Sequence, residues 1–182
     1  MIIGLMGEAG VGKDTVGRML QEKWGFSLTS LALPMKLFVV QVFAFPVQHV
    51  FGDSEYREVP SPEWDGLTPR RALQTLGTEW GRGLHKDVWV RYALRAAAER
   101  GGHVAITDVR FRNELEAIQK AGGKVIRVHR PVRKEGLDST HLSESEQKDI
   151  PDSAVDAVIQ NTGSLEDLAH AVDQIMSKWT SP

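Results

Sequence analysis

Ile2-Ile3-Gly4-Leu5-Met6-Gly7-Glu8-Ala9-Gly10-Val11-Gly12-Lys13-Asp14-Thr15 is the run on which the reading of this chain turns. Its first five residues are a short apolar stretch that stops at glycines, as a buried strand does. Beyond it, Val16, Met19, Leu20 and Trp24 recur at the helical period, and Gly25 ends the helix they predict. Between strand and helix, Gly7 to Lys13 matches the phosphate-loop pattern G-x-x-x-x-G-K in the context that gives the pattern its meaning. Glycines let successive backbone N–H groups curl around an anion, the helix N-terminus adds its positive dipole end, and Lys13 can reach terminal phosphates. The general pattern puts Ser or Thr directly after the lysine to hold Mg²⁺; here Asp14 intervenes and Thr15 follows. Thr15 is therefore the hydroxyl candidate for phosphate or Mg²⁺. Asp14 has two readings, a ligand-side carboxylate or an acidic first-turn residue favoured by the helix dipole.

Working outward, Phe26–Leu31 reads as a second strand and Met35–Phe45 as a second helix with Pro34 in its first turn; residues 46–67 look irregular. Thr68-Pro69 is a cap with a first-turn proline, opening a helix whose apolar stripe would be Leu73, Leu76 and Trp80. Asp87 caps another helix, which stops at Gly101-Gly102. Strands are expected at His103–Thr107, Lys124–His129 and Val155–Gln160, with a helix around Glu114–Ala121. Ser143 with Glu146 makes a capping box, and Ser164 caps a final helix bearing Leu165, Leu168, Ala169, Val172, Ile175 and Met176. Five strands alternating with helices imply an α/β fold, a parallel five-stranded sheet with helices on both faces, whose ligands bind at the carboxyl ends of the strands.

At 182 residues the expectation is one domain, 1–182, with enough chain for an apolar core. Hydrophobic residues at 41% and charged ones at 25% exclude disordered and collagen-like classes, and zero cysteines exclude thiol catalysis, disulfides and Cys-ligated zinc. The greasiest run, Leu31–Phe45, is interrupted by Pro34 and Lys36 and is too short to span a membrane; the N-terminus lacks a basic region, so a soluble, cytoplasmic protein is expected. With 22 Lys+Arg against 24 Asp+Glu, the net charge of −2 argues against nucleic acid as a partner, and any anion site must be local.

Asp108 and Arg110 follow directly on the His103–Thr107 strand, at the end where a parallel sheet presents ligands. Arg127, His129, Arg130, Arg133 and Lys134 gather positive charge at the end of the fourth strand. Strand alternation sets Arg127 apart as a structural candidate, leaving Arg130 and Arg133 as the functional ones. A solvated charge cluster is the plainer reading. His141 and Glu144 lack further ligands at zinc spacing, so metal binding is not expected there.

The chain resembles the deoxynucleoside monophosphate kinases of tailed bacteriophages, P-loop kinases related to the adenylate kinase group. The residues that carry this are the Gly-Lys-Asp-Thr ending at Thr15, Ser30-Leu-Ala-Leu-Pro-Met-Lys36, Thr68-Pro-Arg-Arg-Ala-Leu-Gln-Thr-Leu-Gly-Thr78 and Asp108-Val-Arg-Phe-Arg-Asn-Glu114. In the second segment Leu31 replaces the family's aromatic and Leu33 its usual Asp. His141-Leu-Ser-Glu144 and Asn161-Thr-Gly-Ser164 are also similar to family features.

The resemblance implies a three-layer P-loop kinase fold with an acceptor-binding insertion near 33–85 and a short lid near 130–148. It implies transfer of the γ-phosphoryl group of ATP, with Mg²⁺, to a deoxynucleoside monophosphate. Lys13, Arg110, Arg130 and Arg133 would be catalytic, while Gly7, Gly10, Val11, Gly12, Lys13, Asp14, Thr15 and Asn161 would hold ATP. Lys36, Arg70, Gln74, Asp108 and Arg110 would hold the acceptor, and Thr15 and Asp108 the metal. Arg70 and Gln74 lie one helical turn apart and share a face, which is otherwise simply a solvated polar face. Phe111 would stack on a base or sit in the core. His141 and Glu144 belong either to the lid or to a capped helix, and Asn161 either contacts adenine or begins a turn. Small-molecule nucleotides are the expected partners, in the host cytoplasm if the chain is viral; a homodimer is left open. Two other classes compete. One is a P-loop kinase with another acceptor, such as dephospho-coenzyme A or a hydroxymethylated base in DNA; the other is a nucleotide-binding module without transferase activity.

Overall fold

The computed structural model describes residues 1–131, 146–147 and 149–181. Two compact units emerge, Met1–Ser30 together with Val90–Pro182, and Leu31–Trp89.

The first unit contains the sheet: β1 (Ile2–Met6), β2 (Ser27–Thr29), β3 (Val104–Val109), β4 (Lys124–His129) and β5 (Ala157–Gln160). Their order is β2-β3-β1-β4-β5 with every neighbouring pair parallel, so β1 is central and delivers its carboxyl end to the middle of the sheet edge. Pleat alternation sorts the faces. Ile3, Leu5, Ala105, Ile126, Val128 and Ile159 meet Val16 and Leu20 of α1 (Lys13–Trp24) and Leu168, Val172 and Met176 of the C-terminal helix (Leu165–Thr180). Those two helices are also tied by Lys23 to Asp173, at 2.5 Å, and by the Trp24 indole N–H to the same carboxylate at 3.2 Å. The opposite face carries the helix Arg112–Lys120, which buries Leu115 and Ile118. Gly4 leaves room there for Ile118, whose Cδ1 would lie only 2.9 Å from any Cβ at position 4. Helices on both faces of a parallel sheet are the expected three layers.

The second unit holds α2 (Leu33–Phe43), α3 (Val47–Phe51) and α4 (Pro69–Gln74), the last running on into a π-helical stretch, Thr75–Arg82. Val39, Phe45, Val50 and Ala72 form its small core, with Phe43, Leu67, Leu73 and Leu76 packed around them. Segment 46–67, expected to be irregular, contains α3 and two short 3₁₀ turns, Ser54–Glu58 and Pro62–Trp64. The Trp64 indole N–H donates to the Phe43 carbonyl at 2.8 Å, and its ring stands edge-on to Phe43.

Capping chemistry follows the sequence closely. The Thr68 hydroxyl accepts the Arg71 N–H at 3.2 Å, and Ser164 and Asp167 exchange backbone and side-chain bonds at the start of the C-terminal helix, numbered α7 after α5 (Val88–Arg100) and α6 (Arg112–Lys120). Three expectations need correction. Strand β2 is three residues rather than six. Leu165 is exposed despite lying on the helical period, because it occupies the first turn beyond the edge of the core. Trp80 is 56% exposed, since the α-period that placed it under Leu73 and Leu76 does not hold through a π-helical turn. The capping box at Ser143 lies outside the described residues.

Candidate active site

The turn from β1 into α1 is a loop only glycine can make. Gly7, Gly10 and Gly12 have φ of 146°, 78° and 107°. A Cβ on Gly7 would overlap the Val128 carbonyl of β4, and one on Gly12 would stand 2.6 Å from the Asn161 Nδ2. At Gly7 and Gly12 the loop is thus pressed against the carboxyl edge of β4 and β5 with no room for a side chain, while Ala9 and Gly10 face solvent. It opens into the first turn of α1, where Asp14 is exposed and Thr15 half-buried. Lys13 folds back over it, its Nζ donating to the carbonyls of Gly7 and Glu8, each at 2.7 Å. An ammonium held on loop carbonyls at the mouth of a glycine cradle is where an incoming polyphosphate would find it.

Asp108 and Arg110 sit at the end of β3. The strand runs to Val109, two residues further than expected, so Asp108 is half-buried alongside the end of β1 and Arg110 is exposed just beyond. In the first turn of α6, Glu114 is only 4% exposed, and its carboxylate accepts the N–H of Arg110 at 2.8 Å and of Phe111 at 2.9 Å. The Asp-Val-Arg-Phe-Arg-Asn-Glu segment is therefore a turn stapled by its own last residue. Phe111 is in the core, which removes it as a base-stacking surface.

On β4, Arg127 is buried at 5% exposure and is structural. Its Nη1 donates to the Ile150 carbonyl at 2.6 Å and to Asp152 Oδ1 at 2.7 Å, and its Nη2 lies 3.2 Å from Met6 Sδ, at the foot of the phosphate loop. His129 Nε2 is 3.0 Å from the same Asp152 oxygen. The hydrogen bond from His129, then that from Arg127, hold the Asp152 carboxyl below its usual range. Nothing in the sequence pattern marks Asp152, which acts from a short 3₁₀ turn (Asp152–Ala154). Arg130 is exposed immediately after β4; Arg133, His141 and Glu144 lie outside the described residues. Asn161, following β5, is 6% exposed and donates through Nδ2 to the Val11 carbonyl at 2.8 Å. Its amide faces the loop rather than solvent.

In the second unit, Arg70 pairs with Glu58 and donates from Nη2 to the Ser54 carbonyl at 3.3 Å. Lys36 Nζ lies 5.3 Å from the centre of the Phe51 ring, and Gln74 is half-buried at the end of α4. Glu58, which fastens Arg70, carries no motif that would have singled it out. Mg²⁺ keeps several waters and takes one or two carboxylates plus phosphate oxygens. A carboxylate at the end of β3 and a hydroxyl in the first turn of α1 suit that donor set.

A parallel 2-3-1-4-5 sheet with a glycine loop and lysine after its central strand defines the class: this is a P-loop kinase. Solved kinases share the architecture. Shikimate kinase from Aquifex aeolicus superposes with a TM-score of 0.52 at 18% identity, covering 98% of this chain and 96% of its own. Dephospho-CoA kinase from Campylobacter jejuni gives 0.50 at 14% identity, covering 98% and 96%. Within that class, residues 49–172 match the family model for deoxynucleotide monophosphate kinase. A protein of Acanthamoeba polyphaga mimivirus named as a deoxynucleotide monophosphate kinase is 35% identical over 182 residues, covering 92% of this chain and 91% of its own. The deoxynucleoside-5′-monophosphate kinase of Escherichia phage T5 is 36% identical over 86 residues, which are 43% of this chain and 34% of that protein. The chain belongs to the deoxynucleotide monophosphate kinase family. Among the described residues no helix is long and apolar enough to cross a membrane.

Proposed function

We propose that the chain transfers the γ-phosphoryl group of ATP to a 2′-deoxynucleoside 5′-monophosphate, giving ADP and the deoxynucleoside diphosphate. The observation that carries this reading is the Lys13 ammonium held 2.7 Å from two loop carbonyls at the mouth of the glycine cradle, in a chain of this family. Gly7, Gly10, Val11, Gly12, Asp14, Thr15 and Asn161 complete the ATP side. An oxygen of the acceptor phosphate attacks the γ-phosphorus, the new P–O bond forms as the bond to the bridging oxygen breaks, and the electron pair leaves on ADP. A phosphate oxygen is already a competent nucleophile, so catalysis is positioning and charge neutralisation.

Lys13, together with Arg110, Arg130 and Arg133, supplies positive charge that offsets the negative charge on the phosphoryl oxygens during transfer. Lys36, Arg70, Gln74, Asp108 and Arg110 take the acceptor; Arg70 suits bidentate phosphate binding and Gln74 a base edge. Thr15 and Asp108 would hold Mg²⁺, which would supply further positive charge against the polyphosphate. The viral relatives support a cytoplasmic role, in the host if the chain is itself viral. The test is acceptor-dependent ADP release by wild type and Lys13→Ala. The reading expects the variant to lose at least about 100-fold in turnover with little change in thermal unfolding. A variant turning over near the wild-type rate contradicts it.

A further inference from the structure

We propose that Asn161 is a positioning residue for the phosphate loop, setting the direction in which the Gly12 N–H points; this rests on the kinase reading of that loop. The side-chain amide of Asn161 is buried and donates to the Val11 carbonyl at 2.8 Å. The peptide between Val11 and Gly12 is trans, as all described peptides are, and a planar trans peptide directs its C=O and N–H to opposite sides. Drawing the Val11 carbonyl toward Asn161 therefore turns the Gly12 N–H away from it, toward the side on which an anion would be bound. Gly12 has φ 107° and no Cβ, so nothing intrinsic to its backbone holds that peptide plane. The hold comes from outside.

Asn161 is itself held. Its backbone N–H donates to the His129 carbonyl at 2.7 Å, fixing the residue to the end of β4. The same edge locates the start of the loop, where Gly7 lies against the Val128 carbonyl. Consecutive residues of β4 thus reference both ends of the loop, Val128 directly at Gly7 and His129 through Asn161 at Val11–Gly12. The packing at the second point is close: a Cβ on Gly12 would come within 2.6 Å of the Asn161 amide nitrogen. The loop is preformed from the β4–β5 side, and Asn161 acts on phosphate through the loop rather than on the base.

Phosphate and base can be separated by the choice of ligand. Equilibrium binding of ATP, inorganic tripolyphosphate and adenosine is measured for the wild type and for Asn161→Leu, which removes the donor at similar volume. Asn161→Ala, which adds no bulk, carries the same comparison should the leucine variant not fold. Loss of one hydrogen bond predicts that ATP and tripolyphosphate both bind roughly tenfold more weakly while adenosine binds as before. Weaker ATP and adenosine with unchanged tripolyphosphate would make Asn161 a base contact and overturn the inference. Equal weakening of all three, or no change in any, overturns it too. A wild-type chain that bound neither ATP nor tripolyphosphate would instead remove the phosphate-loop reading itself.

Discussion

Lys13 and Asp152 show two ways in which single residues matter to this site. Lys13 is legible in the sequence because its chemistry requires a fixed spacing from the glycines, and the structure finds it where that spacing puts it. Asp152, in a 3₁₀ turn, has no such spacing, because it works by being met by a buried arginine from strand β4. Its contribution is pH-dependent, and the sign follows from the direction of its shift. A carboxyl whose folded pKa lies below the unfolded value adds stability above the unfolded value, and that stability is lost as the pH falls through the folded one. Urea unfolding of wild type and Asp152→Asn should therefore differ most at neutral pH, with the variant less stable, and the two curves should converge on acidification below about pH 4. A gap that stayed constant down to pH 2 would show that the Arg127–Asp152–His129 cluster does not act through the carboxylate charge. Strand alternation, which puts Arg127 and His129 on one face, was the signal that read Arg127 as structural. The roles of Glu114 and Asn161 were only half legible: each was visible as a polar residue at an element boundary, but its partner, a backbone N–H or carbonyl, carries no sequence signal.

Among the elements, the strands and capped helices were largely visible, since alternation, glycine stops and Ser or Thr caps are local. The exception is instructive. The sequence pattern continues the helix begun at Pro69 with an unbroken α-period through Trp80, whereas the chain widens into a π-helix from Thr75 to Arg82. What packs against this stretch lies further along the chain: the Trp89 ring lies on Gly81, and its indole N–H donates to the Gly77 carbonyl at 2.8 Å. In the structure Gly77 offers a carbonyl and Gly81 a bare backbone to the indole. Any Cβ at position 81 would overlap that ring. Gly81→Ala should then destabilise the protein by about 1–3 kcal/mol, and Trp89→Phe, which keeps an aromatic ring but loses the donor, by about 1 kcal/mol. Thermal and urea unfolding read both, and a neutral Gly81→Ala would mean that the π-helix does not depend on this contact.

For the whole molecule, the net charge of −2 is an average over unlike regions. Lys13, Arg110 and Arg130 gather at or just beyond the carboxyl edge of the sheet in one unit, and Lys36 and Arg70 lie in the other, with acidic residues elsewhere balancing the sum. The parallel sheet and phosphate loop are shared with kinases of other acceptors, so the fold alone leaves the acceptor open; the family assignment is what narrows it. The direct measurement is ADP release by the full chain with ATP and Mg²⁺ across dAMP, dGMP, dCMP and dTMP, beside dephospho-coenzyme A and duplex DNA. The account predicts that at least one free deoxynucleoside monophosphate drives ADP release, while duplex DNA and dephospho-coenzyme A leave it at the background rate. Release driven by either of those two and by none of the monophosphates would contradict it.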